Sequence, residues 1–266
     1  ACGLPLVWYK FDEPAGTGAI ANSGTWPGTT SSVAGTQGVP GMVGNAIQLA
    51  AMTDGVAIID PADGSLDGFT NWTVEGWIKV SALPVDGYAT LVKKDVAYIC
   101  RLVEGQSCTN CYTGQAIVWS PTQQALNWTM PSAPTTGTWY HMACTYGAGT
   151  LTLYWNGLPM MSATGGTTAL SNSASNLGVG RTPSSTTIME SLQGAMDDFK
   201  LWNTKRTDRQ ICLDACGSYS GDTKIKCAAA RYYAGGNWSK FTGTYGAATL
   251  SRMQKFEDDI AAITAN

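Results

Sequence analysis

Apolar and polar positions alternate with a period of two along most of the first 205 residues. In the segment Thr138–Gly157, Trp139, His141, Ala143 and Thr145 alternate with Tyr140, Met142, Cys144 and Tyr146. After Gly147-Ala148-Gly149 the alternation resumes, with Leu151, Leu153 and Trp155 set against Thr152 and Tyr154. Aromatic and β-branched residues in this rhythm, with glycines at the reversal, mark a β-hairpin. Asn156-Gly157 supplies a second turn whose residues tolerate positive φ. From Trp72 to Val80, Val74, Gly76 and Ile78 fall on one face, and Thr73, Glu75, Trp77 and Lys79 on the other. Shorter strands are expected at residues 6–11, 44–49, 55–59, 90–93, 97–103, 116–119 and 177–180, and a long one at 191–202. Residues 14–40 are rich in Gly, Thr and Ser and read as a surface loop, with 20–22 as a short edge strand. No helical period is sustained before residue 205, so an all-β, two-sheet antiparallel sandwich follows.

Beyond residue 205 the pattern changes. Residues 207–215 read as a short helix carrying Cys212 and Cys216. Leu250, Met253, Phe256, Ile260 and Ile263 recur at helical spacing, with Asp258 and Asp259 on the opposite face. The chain therefore divides into a β domain, 1–205, and a C-terminal extension, 206–266, bearing Cys212, Cys216 and Cys227 and ending in an amphipathic helix whose apolar stripe needs a cover. That cover is either this chain's own sandwich or another subunit.

Composition narrows the class. Of 266 residues 44% are hydrophobic, enough for a full core, and 13% are charged, which excludes a coiled coil or a disordered chain. The net charge of −3 leaves no electrostatic footprint for nucleic acid. Residues 1–205 carry eight Lys and Arg against thirteen Asp and Glu, and residues 206–266 carry eight against six, so a mildly acidic core faces a mildly basic tail. No apolar run is long enough to span a bilayer. The eight cysteines, Cys2, Cys100, Cys108, Cys111, Cys144, Cys212, Cys216 and Cys227, point to disulfides in an oxidising compartment. Sequons at Asn71, Asn127 and Asn237 point the same way, to a secreted glycoprotein. The start at Ala1-Cys2 is what removal of a signal peptide or of an initiator Met would leave.

Several stretches resemble one family in order. Leu6–Glu13 resembles an opening strand, and Gly41–Leu49 a Gly-x-x-Gly-x-Ala element. Thr73–Lys79 resembles a Thr-φ-Glu-x-Trp-φ strand. Thr138–Gly157 resembles a central hairpin, and Gly194–Trp202 a closing strand with paired aspartates. Together they resemble laminin-G-like and pentraxin-like (concanavalin A-like) jelly rolls over residues 4–205. The resemblance implies a jelly-roll fold with first and last strands side by side. It also implies a structural Ca²⁺ held by the match to Asp197 with oxygens near Asp12 and Gly44, and carbohydrate or glycoprotein ligands. With first and last strands adjacent, Cys2 would reach Cys212 or Cys216, Cys227 would take the other, and Cys100, Cys108, Cys111 and Cys144 would pair among themselves.

The residues bear on each implication. Alternation places Asp197 inward with Phe199 and Leu201, and Asp198 and Lys200 outward; an inward carboxylate must be paired or coordinate a cation. Backbone N–H or hydroxyl donors are the other way to satisfy it. Oxygen ligands on flexible loops suit Ca²⁺. Related polysaccharide hydrolases aim two or three carboxylates from one strand into a groove. Glu13, Glu75, Glu104, Glu190 and Glu257 have no partner at that spacing. His141, the only histidine, reads as a packed, hydrogen-bonded residue. Cys108-x-x-Cys111 lacks a second ligand pair for zinc and reads as a disulfide cysteine pair. Sugar binding needs exposed aromatics on a loop rim, and Trp26, Tyr112, Trp119 and Trp128 lie in or beside loops. The expected function is therefore a secreted, non-catalytic recognition module. The alternative is a structural subunit of an extracellular filament, coat or appendage, a homo-oligomer built through the extension, with a polysaccharide hydrolase more remote.

Overall fold

The structure is a computed structural model that describes residues 3–30, 32–82, 87–104, 111–166, 169–183 and 190–216. Among these residues the strands are, in order, β1 (Val7–Tyr9), β2 (Ser32–Ala34), β3 (Thr36–Pro40), β4 (Asn45–Leu49), β5 (Gly55–Ile58), β6 (Trp72–Val80), β7 (Tyr88–Lys94), β8 (Tyr98–Glu104), β9 (Tyr112–Trp119), β10 (Gln123–Thr129), β11 (Trp139–Gly147), β12 (Thr150–Trp155), β13 (Leu158–Thr164), β14 (Leu177–Val179) and β15 (Gly194–Trp202). One helix, α1 (Asp208–Asp214), follows. They form two antiparallel sheets. Sheet I runs β13-β12-β11-β6-β15-β4-β3, with β1 also on β15, and sheet II runs β10-β9-β8-β7-β14-β5-β2. This is a jelly-roll sandwich, as the alternation predicts.

The core lies between the sheets. From β6, Trp72, Val74, Ile78 and Val80 point inward; from β8, Tyr98, Cys100 and Leu102 do so. Trp72 and Tyr98 meet across the gap with ring centroids 4.9 Å apart. Cys100 of sheet II and Cys144 of sheet I are joined by a disulfide that crosses the core, with their Cα atoms 6.2 Å apart. Cys111 and Cys216 are disulfide-bonded as well. Cys212, within α1, is buried. Cys2, Cys108 and Cys227 lie outside the described residues.

The hairpin forms as expected. Ala148 and Gly149 turn β11 into β12 at φ 50° and 73°, and Asn156 and Gly157 turn β12 into β13 at φ 51° and 82°. Gly157 has a second duty. A Cβ there would sit 2.7 Å from the Cβ of Ala215 and 3.0 Å from the Cα of Cys212, so its bare backbone lets the end of α1 rest on the turn.

Four strands differ from the sequence reading. β2 and β3 lie in the region read as loop, and β10 and β13 are additional. All four are the outermost strands of their sheets. A sheet edge leaves much of each side chain in water, so its sequence is not forced into clean alternation. The short strand expected at 20–22 is an isolated bridge between Tyr9 and Asn22. The 207–215 helix is α1, started by a reciprocal Thr207/Gln210 capping box. The terminal amphipathic helix, the basic tail beyond residue 216 and Asn237 lie outside the described residues.

Candidate functional site

Three places concentrate chemistry. The first is where β15 changes partner. Its Gly194–Met196 half pairs with β4, and its Phe199–Leu201 half pairs with β1. Between them the ladder with β6 shifts register, and Asp198 takes φ 49°. Asp197, registered with Trp77 and next to the core residue Met196, lies on the outer face of sheet I and not inward as alternation predicts, because the bulge at Asp198 puts it on the same face as Lys200; it is fully buried there under the 42–43 turn. Its Oδ2 accepts the backbone N–H groups of Met42 (2.7 Å) and Val43 (2.8 Å). Its Oδ1 is buried without a hydrogen-bond partner. Burial pushes the carboxyl up to about 7 against the pull of those two N–H groups, with Asp198 and Asp12 nearby adding to the rise.

Asp12 stands on the same cleft, its Oδ1 accepting the Asn45 N–H at 3.0 Å. A Cβ on Gly44 would lie 2.2 Å from that Oδ1, and one on Gly41 would lie 2.7 Å from Asp197 Oδ2. Both glycines keep side chains off the carboxylates. The cleft, about 300 Å³, is also lined by Trp8, Lys10, Val43, Asp198, Lys200 and Asp214. The structure thus brings Asp197, Asp12 and Gly44 together. Among the described residues no three His, Cys, Asp or Glu side chains converge as a metal set. Any cation there would rely on Asp197 Oδ1, Asp12 and backbone or water oxygens.

Lys200 does not face water. It is buried because α1 folds over it, and its ammonium donates to Asp198 (2.9 Å) and lies 3.8 Å from Asp214. The sequence placed it in solvent because no periodicity in β15 announces a helix laid across that face.

The second place is under that helix. Ile211 of α1 packs on Ala143 and Tyr154 of the outer face of sheet I, and Tyr154 donates to Asp208 at 2.8 Å. Glu75 is sealed beneath. Its Oε1 accepts from Trp202 Nε1 (3.2 Å) and lies 3.3 Å from Arg206 Nε, while Arg206 also pairs with Asp214. His141 Nε2 stands 3.7 Å from Glu75, and its ring meets the edge of Trp77. His141 is 2% exposed, a packed residue as expected. Burial, then Asp214, raises the Glu75 carboxyl to about 8 against Arg206 and Lys200. Three carboxylates (Glu75, Asp198, Asp214) share two cations (Lys200, Arg206), and the deepest acid keeps a proton.

Between about pH 4.5 and 8 the folded chain holds a proton at Glu75 that the unfolded chain releases, so this group's contribution is complete at low pH and lost as pH rises through 8. Glu75→Gln, which mimics the protonated acid, is expected to flatten the fall in Tm between pH 5 and 8. A wild-type slope in the variant would show that Glu75 is ionised in the folded protein.

The third place is the mouth of the sandwich at the start of β11. Tyr140 and Trp155 stack there, with centroids 4.8 Å apart and planes at 24°. Trp128 of β10, from the opposite sheet, comes to 6.4 Å from Trp155. All three are half-buried against the core. With Met130 and Pro131–Pro134 they line a cleft of about 120 Å³. The Tyr140 hydroxyl accepts the Thr135 N–H at 2.9 Å and ties down the 130–137 loop.

Of the four aromatics expected at a ligand rim, only Trp128 is in this cleft. Trp26 and Tyr112 belong to the core, each 8% exposed, and Trp26 donates to Ser65 Oγ. Trp119 is half-buried at the other end of β9 from the Gly114 that faces Trp128. Tyr140 and Trp155 escaped the sequence reading. The available signal was two inward aromatics at the open end of one hairpin, near the Met142–Trp155 register pair. Asn71 and Asn127 are exposed, and Asn127 Oδ1 accepts from Gln115 Nε2 at 2.7 Å.

No curated protein sequence matches the chain. Among solved structures it is similar to domain 4 of an extracellular arabinanase from Geobacillus stearothermophilus, a structure in complex with arabinotriose. The TM-score is 0.56 and identity 19%, covering 78% of this chain and 96% of that one. It is also similar to the binding domain of Paraclostridial Mosquitocidal Protein 1 (TM-score 0.59, 13% identity, 80% of this chain and 52% of that one). A third is the ligand binding domain of botulinum neurotoxin serotype D, in complex with N-acetylneuraminic acid (0.54, 13%, 80% and 50%). The chain spans about half the length of the two toxin domains. At these identities the likeness is one of fold. A family model described as the concanavalin A-like lectin/glucanases superfamily matches residues 51–212, more than half of the sequence, and with the two-sheet jelly roll this places the chain in that family.

Proposed function

We propose that this protein is a secreted, non-catalytic module that binds carbohydrate, or the carbohydrate of a glycoprotein, in the aromatic cleft at the mouth of the sandwich. One observation carries the reading: Tyr140 and Trp155 stack in parallel while half open to solvent, with Trp128 at an angle beside them. Flat apolar rings held rigid offer the C–H face of a sugar a surface at low entropic cost. The cleft is lined by no charged side chain, so neutral glycans suit it. Arabinotriose and N-acetylneuraminic acid, present in the structures of two neighbours of this fold, support carbohydrate as the ligand class. The burial of Glu75 beneath α1 supports a non-catalytic role. The cross-core disulfide and the exposed Asn71 and Asn127 sequons support export and glycosylation. No helix among the described residues is long and apolar enough to cross a membrane. A glycan array tests the reading: hits among neutral oligosaccharides are expected, and an empty array with and without Ca²⁺ would end it.

We further propose a structural Ca²⁺ at Asp197. The orphaned, buried Oδ1, the Asp12 carboxylate beside it and the two bare glycines support it. Bound there, the ion would neutralise the carboxylates at the β1–β4 junction. Calcium at a hundredfold excess over its Kd is expected to add about 2.7 kcal/mol, raising Tm by roughly 5–10 °C, and Asp197→Asn to remove that rise. A melting temperature indifferent to calcium and to chelator would contradict the site.

A further inference from the structure

A second cleft, of about 310 Å³, lies between the loops 60–68 and 172–174. It sits by the start of β6. The aromatic cleft sits by the start of β11, which is the far end of the antiparallel β6–β11 pair. Asp60, Asp63 and Asp67 line it. Lys94 reaches these loops from below with no exposed surface; its Nζ is 2.5 Å from Asp60 Oδ1, 3.2 Å from Asp67 Oδ2 and 2.6 Å from the Ser175 carbonyl. Three carboxylates against one consumed ammonium leave the cleft negative. Asp67 is 6% exposed, and its Oδ1, on the side of Gly64, has no hydrogen-bond partner.

Several backbone donors of the walls are already used. The Asp60 N–H bonds Asn176, Gly64 bonds the Pro61 carbonyl, Ser65 bonds Asp63, Asp67 bonds the Gly64 carbonyl, and Ser173 bonds Asp67 Oδ2. What the carboxylates offer a ligand is acceptance. Sugar hydroxyls need both roles, whereas ammonium and guanidinium groups only donate. A metal ion is disfavoured because Lys94 Nζ already stands between Asp60 and Asp67.

Next to the residues that line the cleft, the adjoining chain adds an apolar element. Ile59, adjoining Asp60, is 66% exposed. Val96 is 54% exposed and sits at φ 62°, a region that a β-branched residue seldom occupies and that carries strain. Its neighbour Asp95 accepts through its carbonyl from the Ser173 hydroxyl, which places this turn beside the cleft. An aliphatic stem against Ile59 and Val96 with a cationic head on Asp63 and Asp67 matches a long basic side chain.

We infer that this cleft binds a lysine or arginine side chain of a partner peptide, a site independent of the sugar cleft. Fluorescence anisotropy of the full chain with a labelled, end-capped peptide of alternating lysine and alanine tests it, beside a twin carrying glutamine for every lysine. The lysine peptide is expected to bind and the twin not, and binding is expected to weaken at ~0.5 M salt. Asp63→Lys, on the exposed wall and away from Lys94, is expected to weaken binding about tenfold or more. Asp67→Asn is expected to do the same where it folds. Trp155→Ala is expected to leave peptide binding unchanged. Equal binding of the twin, no binding of either peptide, or wild-type binding by Asp63→Lys would overturn the inference. So would a neutral oligosaccharide whose binding Asp63→Lys abolishes.

Discussion

Replacing both Cys100 and Cys144 with alanine is expected to cost about 4 kcal/mol of stability and to lower Tm by roughly 10 °C. The bridge closes a loop of sequence separation 44 between the two sheets. In the unfolded chain that closure removes conformational entropy, and its loss restores it. The bridge also holds the sheets together where β8 and β11 approach, flanked by Ala116 on one ladder and Val74 and Leu153 on the other. Equilibrium unfolding in urea of the double variant against the wild type measures the effect. A loss below about 1 kcal/mol would mean that packing around Trp72 and Tyr98 fixes the sheet spacing without help.

Trp155→Ala is expected to weaken glycan binding at least tenfold, about 1.4 kcal/mol, and more if Trp155 is the central anchor. The indole is the shared member of the cleft, stacked on Tyr140 and angled to Trp128. Its removal takes away the floor and frees Tyr140 to turn. Calorimetry with an oligosaccharide selected by the array gives the number, and circular dichroism confirms that the variant stays folded at the measuring temperature. Trp119→Ala, at the other end of β9, serves as the comparison and is expected to bind as the wild type. Equal affinity in Trp155→Ala would remove the cleft from the account.

How legible all this is in the sequence depends on what each residue faces. Interior strands such as β6 and β11 alternate because one face is core and the other is covered or wet, and their extents follow from the pattern. The outermost strands β2, β3, β10 and β13 carry little of that constraint, and their residues read as loop. The first-to-last strand pairing is likewise readable from motif order, whereas the face of Asp197 is not, because the bulge at Asp198 breaks the alternation between it and Phe199. Nor is the covering of Glu75 and Lys200. It comes from Arg206 and Asp214, more than a hundred residues from Glu75, and no period in β6 records them. The aromatic cleft is invisible for a similar reason: Trp128 reaches Trp155 across two sheets, so loop proximity picks out Trp26 and Tyr112, which the core absorbs. Cysteine counting establishes an oxidised protein, and only coordinates establish that Cys100 meets Cys144.

The most direct test of carbohydrate recognition at the sandwich mouth is a ¹⁵N-detected titration of the tryptophan indole N–H signals with a neutral oligosaccharide. Assignment comes from single Trp→Phe variants. The Trp128 and Trp155 signals are expected to shift together and saturate, while those of the buried Trp26, Trp72 and Trp77 stay in place. Saturable shifts confined to other tryptophans, with Trp128 and Trp155 unmoved, would contradict recognition at that mouth.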